Sequence, residues 1–237
     1  MIENFFSIIE KEQYLNSICY GLFVTILISL FTIFFSTILG LLFFILKEIN
    51  FLFLKYFIKI YITLFKNTPL LMQLFFWYFA ANSFLPTSLI KWLKTSHHIN
   101  IINISLINLI SFEFLIGLIG LTIYSIPFIV EELKSGMLSI KKNQKIEAMA
   151  LGLSKITIWK YIFFPQILKN SYIPILGQYM NIIKNSSLTM AIGVTELSYI
   201  SRQIESESFQ TFTIFIITTI LYILIIGIIE IIRKFIQ

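Results

Sequence analysis

The chain is predicted to be all-α, a polytopic membrane helical bundle of about five transmembrane helices, and three observations predict it. The composition is 57% hydrophobic and only 13% charged, with a mean hydropathy of +0.87, which is more apolar surface than a soluble domain can hide. Apolar runs of about 20 residues, the length that crosses the hydrocarbon core, recur along the chain. Lysines gather in the loops between those runs, as they do on the cytoplasmic side of membrane proteins. A length of 237 residues then makes a single domain, filled by repeated passes.

Taken in order, Ser17 to Leu46 carries no charge. At about 1.5 Å per residue it outruns the bilayer core, so this helix is expected to tilt or protrude. The leader MIENFFSIIEKEQ is acidic rather than basic and the apolar run is long, so the segment is expected to stay as a helix rather than act as a secretory signal. Phe51 to Phe65 is ambiguous because Lys55, Lys59 and Lys66 lie along it. It reads as a helix partly in the cytoplasmic interface with snorkelling lysines, or else as a sixth span. Pro69 to Ile90 is the second candidate span, with Pro69 at a helix start where its missing N–H is harmless. Phe112 to Val130, Pro165 to Ile183 and Thr211 to Ile232 are the third, fourth and fifth.

Lys134 to Lys160 reads KSGMLSIKKNQKIEAMALGLSKITIWK, with Lys134, Lys141, Lys142, Lys145, Lys155 and Lys160 against the single carboxylate Glu147. That bias places the loop inside the cell. With Arg233 and Lys234 also inside, five spans put the amino terminus outside and Lys47 to Lys66 inside, whereas six spans put the amino terminus inside. Lys91 and Lys94 lie outside in the five-span arrangement, against the rule. Glu147, Ala148, Ala150, Leu151 and Gly152 make a short helix whose small residues let another surface approach, a knob suited to docking in a partner's groove. The alternative is an ordinary positive loop that sets topology.

Several kinds of chemistry find no support. None of the nine glycines begins a G-x-x-x-x-G-K-[ST] run, so no loop cradles phosphates. Cys19 is the only cysteine and sits in an apolar run, which leaves neither a disulfide framework nor a cysteine metal cluster. His97 and His98 are adjacent, so their rings point apart on a helix or strand, and a solvated outer loop is expected rather than a metal site. No spacing suited to acyl or glycosyl transfer occurs, so no catalytic residue is assigned and the chain is not read as an enzyme. The net charge of +6 is scattered over loops and forms no stripe, which speaks against nucleic acid.

Polar groups inside apolar segments are functional suspects. Gln178, Asn181 and Asn185 recur at three- and four-residue spacing on one helical face, with Lys184 beside them, and amide and ammonium groups suit a zwitterion or an acidic side chain. Gln73 and Glu196 are further candidates for a substrate path. The competing reading is that these groups glue membrane helices together.

Gly152 is followed after nine residues by Ile162, and an I-x-F-P ending closes at Pro165. The whole resembles the E-A-A-x3-G-x9-I-x-L-P loop of binding-protein-dependent ABC transporter permeases. KNTPLLMQLFFWYF (Lys66 to Phe79) is similar to the R-G/N-T-P-L-L-V-Q-L-F-F segment of the polar amino-acid permeases of histidine, glutamine and glutamate type. Glu131 with KSGMLSI (Lys134 to Ile140) is similar to their A-E-I-x-R-G-G-I-x-S-I. QYMNIIKNSSLTMAIGVTEL (Gln178 to Leu197) resembles the stretch around their K-D/N-T/S-S-L motif. The four ordered motifs cover most of residues 17 to 235.

This resemblance implies one ABC transporter transmembrane domain over residues 1–237, of MetI-like fold, with residues 141–160 as a cytoplasmic coupling loop. It implies a multi-pass protein of the bacterial inner membrane, surrounded by lipid bilayer, working as a homodimer or heterodimer with a second permease subunit. Its partners would be an ABC ATPase dimer docked at the loops and an extracytoplasmic solute-binding protein. No cofactor is expected in this chain, since ATP is bound by the partner ATPase. The mechanism implied is alternating access, with Glu147 to Gly152 as the lever that couples to the ATPase. The sequence departs from the pattern in places. Aligned on Ala150-Leu151-Gly152, the family's first glutamate falls on Ile146 and Glu147 sits one residue late, about 100° round a helix. Asn67 replaces a frequent Gly and Asn185 a frequent Asp, variants associated with glutamate and aspartate permeases, so the expected substrate is glutamate or aspartate, otherwise glutamine. A stand-alone secondary transporter of a small polar solute is the alternative, but no paired internal repeat is seen.

Overall fold

The computed structural model describes residues 12–48, 51–94, 100–101, 104–105, 111–141 and 143–236. His97, His98, Lys142 and the leader up to Lys11 lie outside the described residues.

The first helix, α1 (Glu12–Glu48), runs for 37 residues, or about 55 Å at the usual rise, so it extends past the bilayer core at one end or both. Small residues make up much of its buried face and large apolar ones its exposed face. Gly21, Thr25, Ser29, Thr32, Ser36 and Gly40 are buried, while Leu30, Phe31, Phe34, Phe35, Ile38 and Leu42 are exposed. Lipid is as apolar as leucine, so membrane helices associate through small residues that let backbones approach, and the large side chains are left to the lipid.

After α2 (Leu52–Lys66) come α3 (Leu70–Phe84) and α4 (Thr87–Lys94). The expected single helix from Pro69 to Ile90 is therefore two. Pro86 disfavours helical geometry at the residue before it, and Leu85 is extended with φ −83 and ψ 145. Pro69 stands just outside the start of α3, as expected. A two-residue antiparallel ladder, β1 (Asn100–Ile101) with β2 (Ile104–Ser105), precedes the central helix.

That helix, α5 (Phe112–Leu138), is capped by the Ser111 side chain, which accepts from the backbone N–H of Phe114. It outlasts the expected end at Val130 by two turns, because Glu131 and Glu132 are accommodated by partners on neighbouring helices. Pro127 lies inside it and cannot donate to the carbonyl of Ile123. The Tyr61 hydroxyl on α2 donates to that carbonyl instead, at 2.7 Å. This bond ties α2 to the bundle, and Ile58 and Ile62 on the same helix are buried against Phe44, Ile126 and Ile129.

The loop helix α6 (Asn143–Ala150) leads into α7 (Lys155–Ile158), a π-helical turn at Trp159–Phe163, and α8 (Phe164–Ser186). The π turn sits immediately before Pro165, whose ring and missing N–H forbid the regular ladder there. A 3-10 segment, Ser187–Ile192, joins α8 to α9 (Leu197–Ser208), and α10 (Thr211–Ile236) closes the described chain.

Contacts fix the directions. Gly117 of α5 lies beside Ile28 of α1 and Ile129 beside Gly40, so α1 and α5 run parallel. Gly120 meets Leu74 while Phe112 meets Tyr78, so α3 runs against α5. The chain thus reverses once between α1 and α3, and α2 adds no net crossing, as the five-span orientation requires. Glu12–Glu48, Phe112–Leu138 and Thr211–Phe235 are long and apolar enough to span by length and composition, and Leu70–Phe84 is apolar but shorter. The fourth expected span, α8, is long enough but carries Lys169, Asn170, Gln178, Asn181, Lys184 and Asn185. Such groups cross a membrane where they face protein or a water-filled cavity.

Candidate functional site: a polar cavity and a glycine-stopped knob

The sequence places polar residues on one face of α8, and α5 supplies the opposite wall. Tyr124, Ser125 and Phe128 on α5 and Gln178, Asn181, Ile182, Lys184 and Asn185 on α8 line a cavity of about 340 Å³, within the range of small-molecule sites. The two helices run antiparallel there. Glu132 faces Gln178, whose Nε2 donates to its Oε1 at 2.8 Å. One turn further along α5, a Cβ on Gly136 would meet the backbone of Ile167 and Ser171. The Ser171 hydroxyl donates to the Glu132 carbonyl at 3.0 Å, and Asn170 Nδ2 donates to Ser139 Oγ at 2.8 Å. A tight, hydrogen-bonded helix crossing therefore lies next to the cavity. Asn181 Nδ2 donates to Gln178 Oε1 at 3.3 Å, which links the wall residues in a short chain.

Four of the six expected path residues are thus brought together: Gln178, Asn181, Lys184 and Asn185. The structure places Gln73 and Glu196 elsewhere. Gln73 is buried between α2 and α3, where its Nε2 donates to the Phe65 carbonyl at 2.8 Å and to Thr68 Oγ1 at 2.6 Å. It closes the turn that holds the two helices. Glu196 is fully buried and caps α9, accepting from the backbone N–H of Ser198 at 2.8 Å and of Tyr199 at 2.9 Å. The Tyr222 hydroxyl on α10 donates to it at 2.8 Å, and Thr25 Oγ1 on α1 lies 3.5 Å away. One carboxylate thereby joins three helices.

Glu132, which stands behind the cavity wall and bonds Gln178, is a residue that the sequence did not single out. The signal available was a pair of adjacent carboxylates at the end of an apolar run. Glu131 is satisfied on the other side of α5 by Lys66 Nζ at 2.8 Å, which leaves Glu132 directed to α8.

The knob expected from the sequence is built from α6. The helix stops at Ala150 because Gly152 takes φ +79, the left-handed conformation that glycine adopts without penalty. Its N–H donates to the Met149 carbonyl at 3.0 Å and the N–H of Leu153 to the Ala148 carbonyl at 3.2 Å. A Cβ on Gly152 would meet nothing in this chain, so backbone conformation rather than internal packing demands the glycine. Ala148 is buried against its own chain, whereas Leu151 is 80% exposed, and Glu147 and Ala150 also face outward. Gln166 Nε2 of α8 donates to Gln144 Oε1 of α6 at 2.9 Å, so the knob is fastened to the helix that lines the cavity.

Residues 45–237 match the family described as binding-protein-dependent transport system inner membrane component. The chain is 27% identical over 215 residues to the glutamate/aspartate import permease protein GltJ of Escherichia coli (strain K12), covering 91% of this chain and 83% of that protein. It is 26% identical over 217 residues to the putative glutamine transport system permease protein GlnP of Rickettsia felis, covering 92% of this chain and 89% of that one. The fold is similar to the crystal structure of an amino acid ABC transporter with histidines, with a TM-score of 0.76, 20% identity and 96% of both chains covered. A multi-pass bundle of this topology, with its glycine-stopped knob and a match over residues 45–237, belongs to the family of binding-protein-dependent transport system inner membrane components, the permease subunits of ABC transporters.

Proposed function

We propose that this chain is the transmembrane permease subunit of an ATP-driven amino-acid importer and forms the translocation path for a polar amino acid. Glutamate or aspartate is the first expectation and glutamine the second, in line with the relatives named above. The observation that carries the reading is the attachment of the knob to the cavity. Glu147, Ala148, Ala150, Leu151 and Gly152 stand at the end of the segment that continues into α8, and α8 supplies Gln178, Asn181, Lys184 and Asn185 to the cavity wall.

The chain itself is a gate and not an enzyme. ATP is bound and hydrolysed by a pair of partner ATPase subunits, whose grooves take α6 and the exposed Ile146, Met149 and Leu151. Movement of the pair carries α6, then α8, and opens the cavity to alternate sides of the membrane. A second permease subunit, identical or similar, completes the path, and a solute-binding protein delivers the amino acid from outside. Within the cavity the Lys184 ammonium suits a carboxylate, and the amides of Gln178, Asn181 and Asn185 suit the remaining polar atoms.

Pull-down of the cognate ATPase with the purified chain tests the coupling. Wild type retains the ATPase and G152V loses it. Equal recovery of the ATPase with both would contradict the assignment of the knob.

A further inference from the structure

We infer that Glu132 is a positioning residue that polarises the cavity, by fixing which end of the Gln178 amide is left for the ligand. The inference rests on the amino-acid reading above and adds an orientation to it.

Donors and acceptors decide the orientation. A carboxylate has only acceptors to offer, whereas an amide has a donor end and an acceptor end that fit almost equally in any pocket. Beside another amide or a hydroxyl, Gln178 would have no preferred orientation. Beside Glu132 it does: Nε2 must point to the carboxylate, as it does at 2.8 Å. The carbonyl end of Gln178 is then the end available elsewhere. It takes one hydrogen bond from Asn181 Nδ2 at 3.3 Å, which in turn fixes the Asn181 amide with one of its two N–H groups on Gln178. The carboxylate therefore orders two amides in series, and both residues line the cavity.

The consequence is a cavity with two unlike ends. Near the Glu132 contact, the fixed amides leave the carbonyl oxygens of Gln178 and Asn181 as the acceptors of the wall. Six residues along α8 from Gln178, Lys184 offers an ammonium to the same cavity. Carbonyl oxygens receive an ammonium group and repel a carboxylate, and the Lys184 ammonium does the reverse. An α-amino acid fits with its ammonium toward Gln178 and Asn181 and a carboxylate toward Lys184. A dicarboxylate that lacks the ammonium leaves the acceptor end unpaired, and unpaired polar groups discriminate strongly between otherwise similar ligands.

The test uses the whole transporter, permease with its ATPase, purified in detergent without the binding protein. Equilibrium binding is measured for L-glutamate, L-aspartate and L-glutamine, and for their counterparts without the amino group, glutarate, succinate and glutaramate. Wild type is expected to prefer the amino acid. E132Q, which frees the Gln178 amide to turn over, is expected to lower that preference about tenfold, the scale of a hydrogen bond to a charged group. E132D keeps an acceptor-only partner and is expected to retain most of the preference. Co-purification of the ATPase and its unstimulated hydrolysis should be unchanged in both variants, which separates positioning from folding. A wild-type complex that binds none of the three amino acids overturns the amino-acid reading, and this inference with it. A wild type that prefers the amino acid beside an E132Q that prefers it equally overturns the role of Glu132 alone. Equal loss of preference in E132Q and E132D, or loss of assembly in both, also overturns it.

Discussion

Substituting Gly136 by alanine probes the crossing next to the cavity. A Cβ built there overlaps the Ser171 hydroxyl and lies 3.0 Å from the Ile167 carbonyl oxygen and 3.1 Å from the Ser171 nitrogen. The hydroxyl can rotate away, at the loss of its 3.0 Å bond to the Glu132 carbonyl. Such bonds between membrane helices contribute about 0.6 kcal/mol on average. The backbone atoms cannot rotate away, so α5 and α8 must part by a few tenths of an ångström. Inserting one carbon into a packed crossing costs about 1–3 kcal/mol, so the two effects together should destabilise the protein by about 2–3 kcal/mol. Thermal denaturation of the detergent-purified protein measures this. In the S171A background the hydroxyl contribution is already gone, and G136A should cost less there than in wild type. A G136A protein within about 0.5 kcal/mol of wild type, the level of an ordinary surface change, refutes the close approach. An equal cost in both backgrounds refutes the role given to the Ser171 hydroxyl.

Other outcomes follow from the same contacts. Y61F leaves the Ile123 carbonyl beside Pro127 without its donor and should destabilise the bundle by about 0.5–2 kcal/mol in the same denaturation assay; no change would mean that α2 is held by packing alone. E196A strips the cap from α9 and removes the carboxylate partner of the Tyr222 hydroxyl, which keeps only Ser198 Oγ at 3.1 Å, so a loss of about 1–3 kcal/mol is expected, with substrate selectivity unaltered in uptake assays. N181L together with K184L should abolish uptake while the variant still assembles with its ATPase on a sizing column; uptake at the wild-type level removes both residues from the path.

The sequence shows the helices where hydropathy or proline decides the matter. The charge-free run of α1, the Pro69 start of α3 and the Thr211 start of α10 all follow from elementary rules. It misleads where a polar residue is satisfied by a distant partner. Hydropathy falls at Glu131, so a helix end at Val130 is the natural expectation, yet Lys66 and Gln178 meet the two carboxylates and the helix continues to Leu138. That early end conceals both Glu132 and Gly136, which lie beyond it. Pro86 was visible, and its effect on Leu85 explains why the second span breaks into two helices. The site was legible to the extent that it follows helical periodicity. Gln178, Asn181 and Asn185 share a face by spacing alone, and the cavity is found on that face. Gln73 and Glu196 have no such companions. A buried glutamine or glutamate marks a path or a cap equally well in one dimension, and only the hydrogen bonds to Phe65, Thr68, Ser198 and Tyr199 tell the two apart. In the loop, the Gly152 spacing pointed to the knob, but the burial of Ala148 against its own chain depends on how α6 rests on α7, and that is not written in the local sequence.

If this chain is a gate driven by another subunit's ATP hydrolysis, uptake into proteoliposomes will depend on that subunit. Vesicles carrying the permease with its ATPase and binding protein should accumulate L-glutamate, L-aspartate or L-glutamine when ATP is present on the ATPase side, and should stop when ATP is withheld. Accumulation of any of these by vesicles that hold this chain alone, with no nucleotide and no ATPase, would contradict the account.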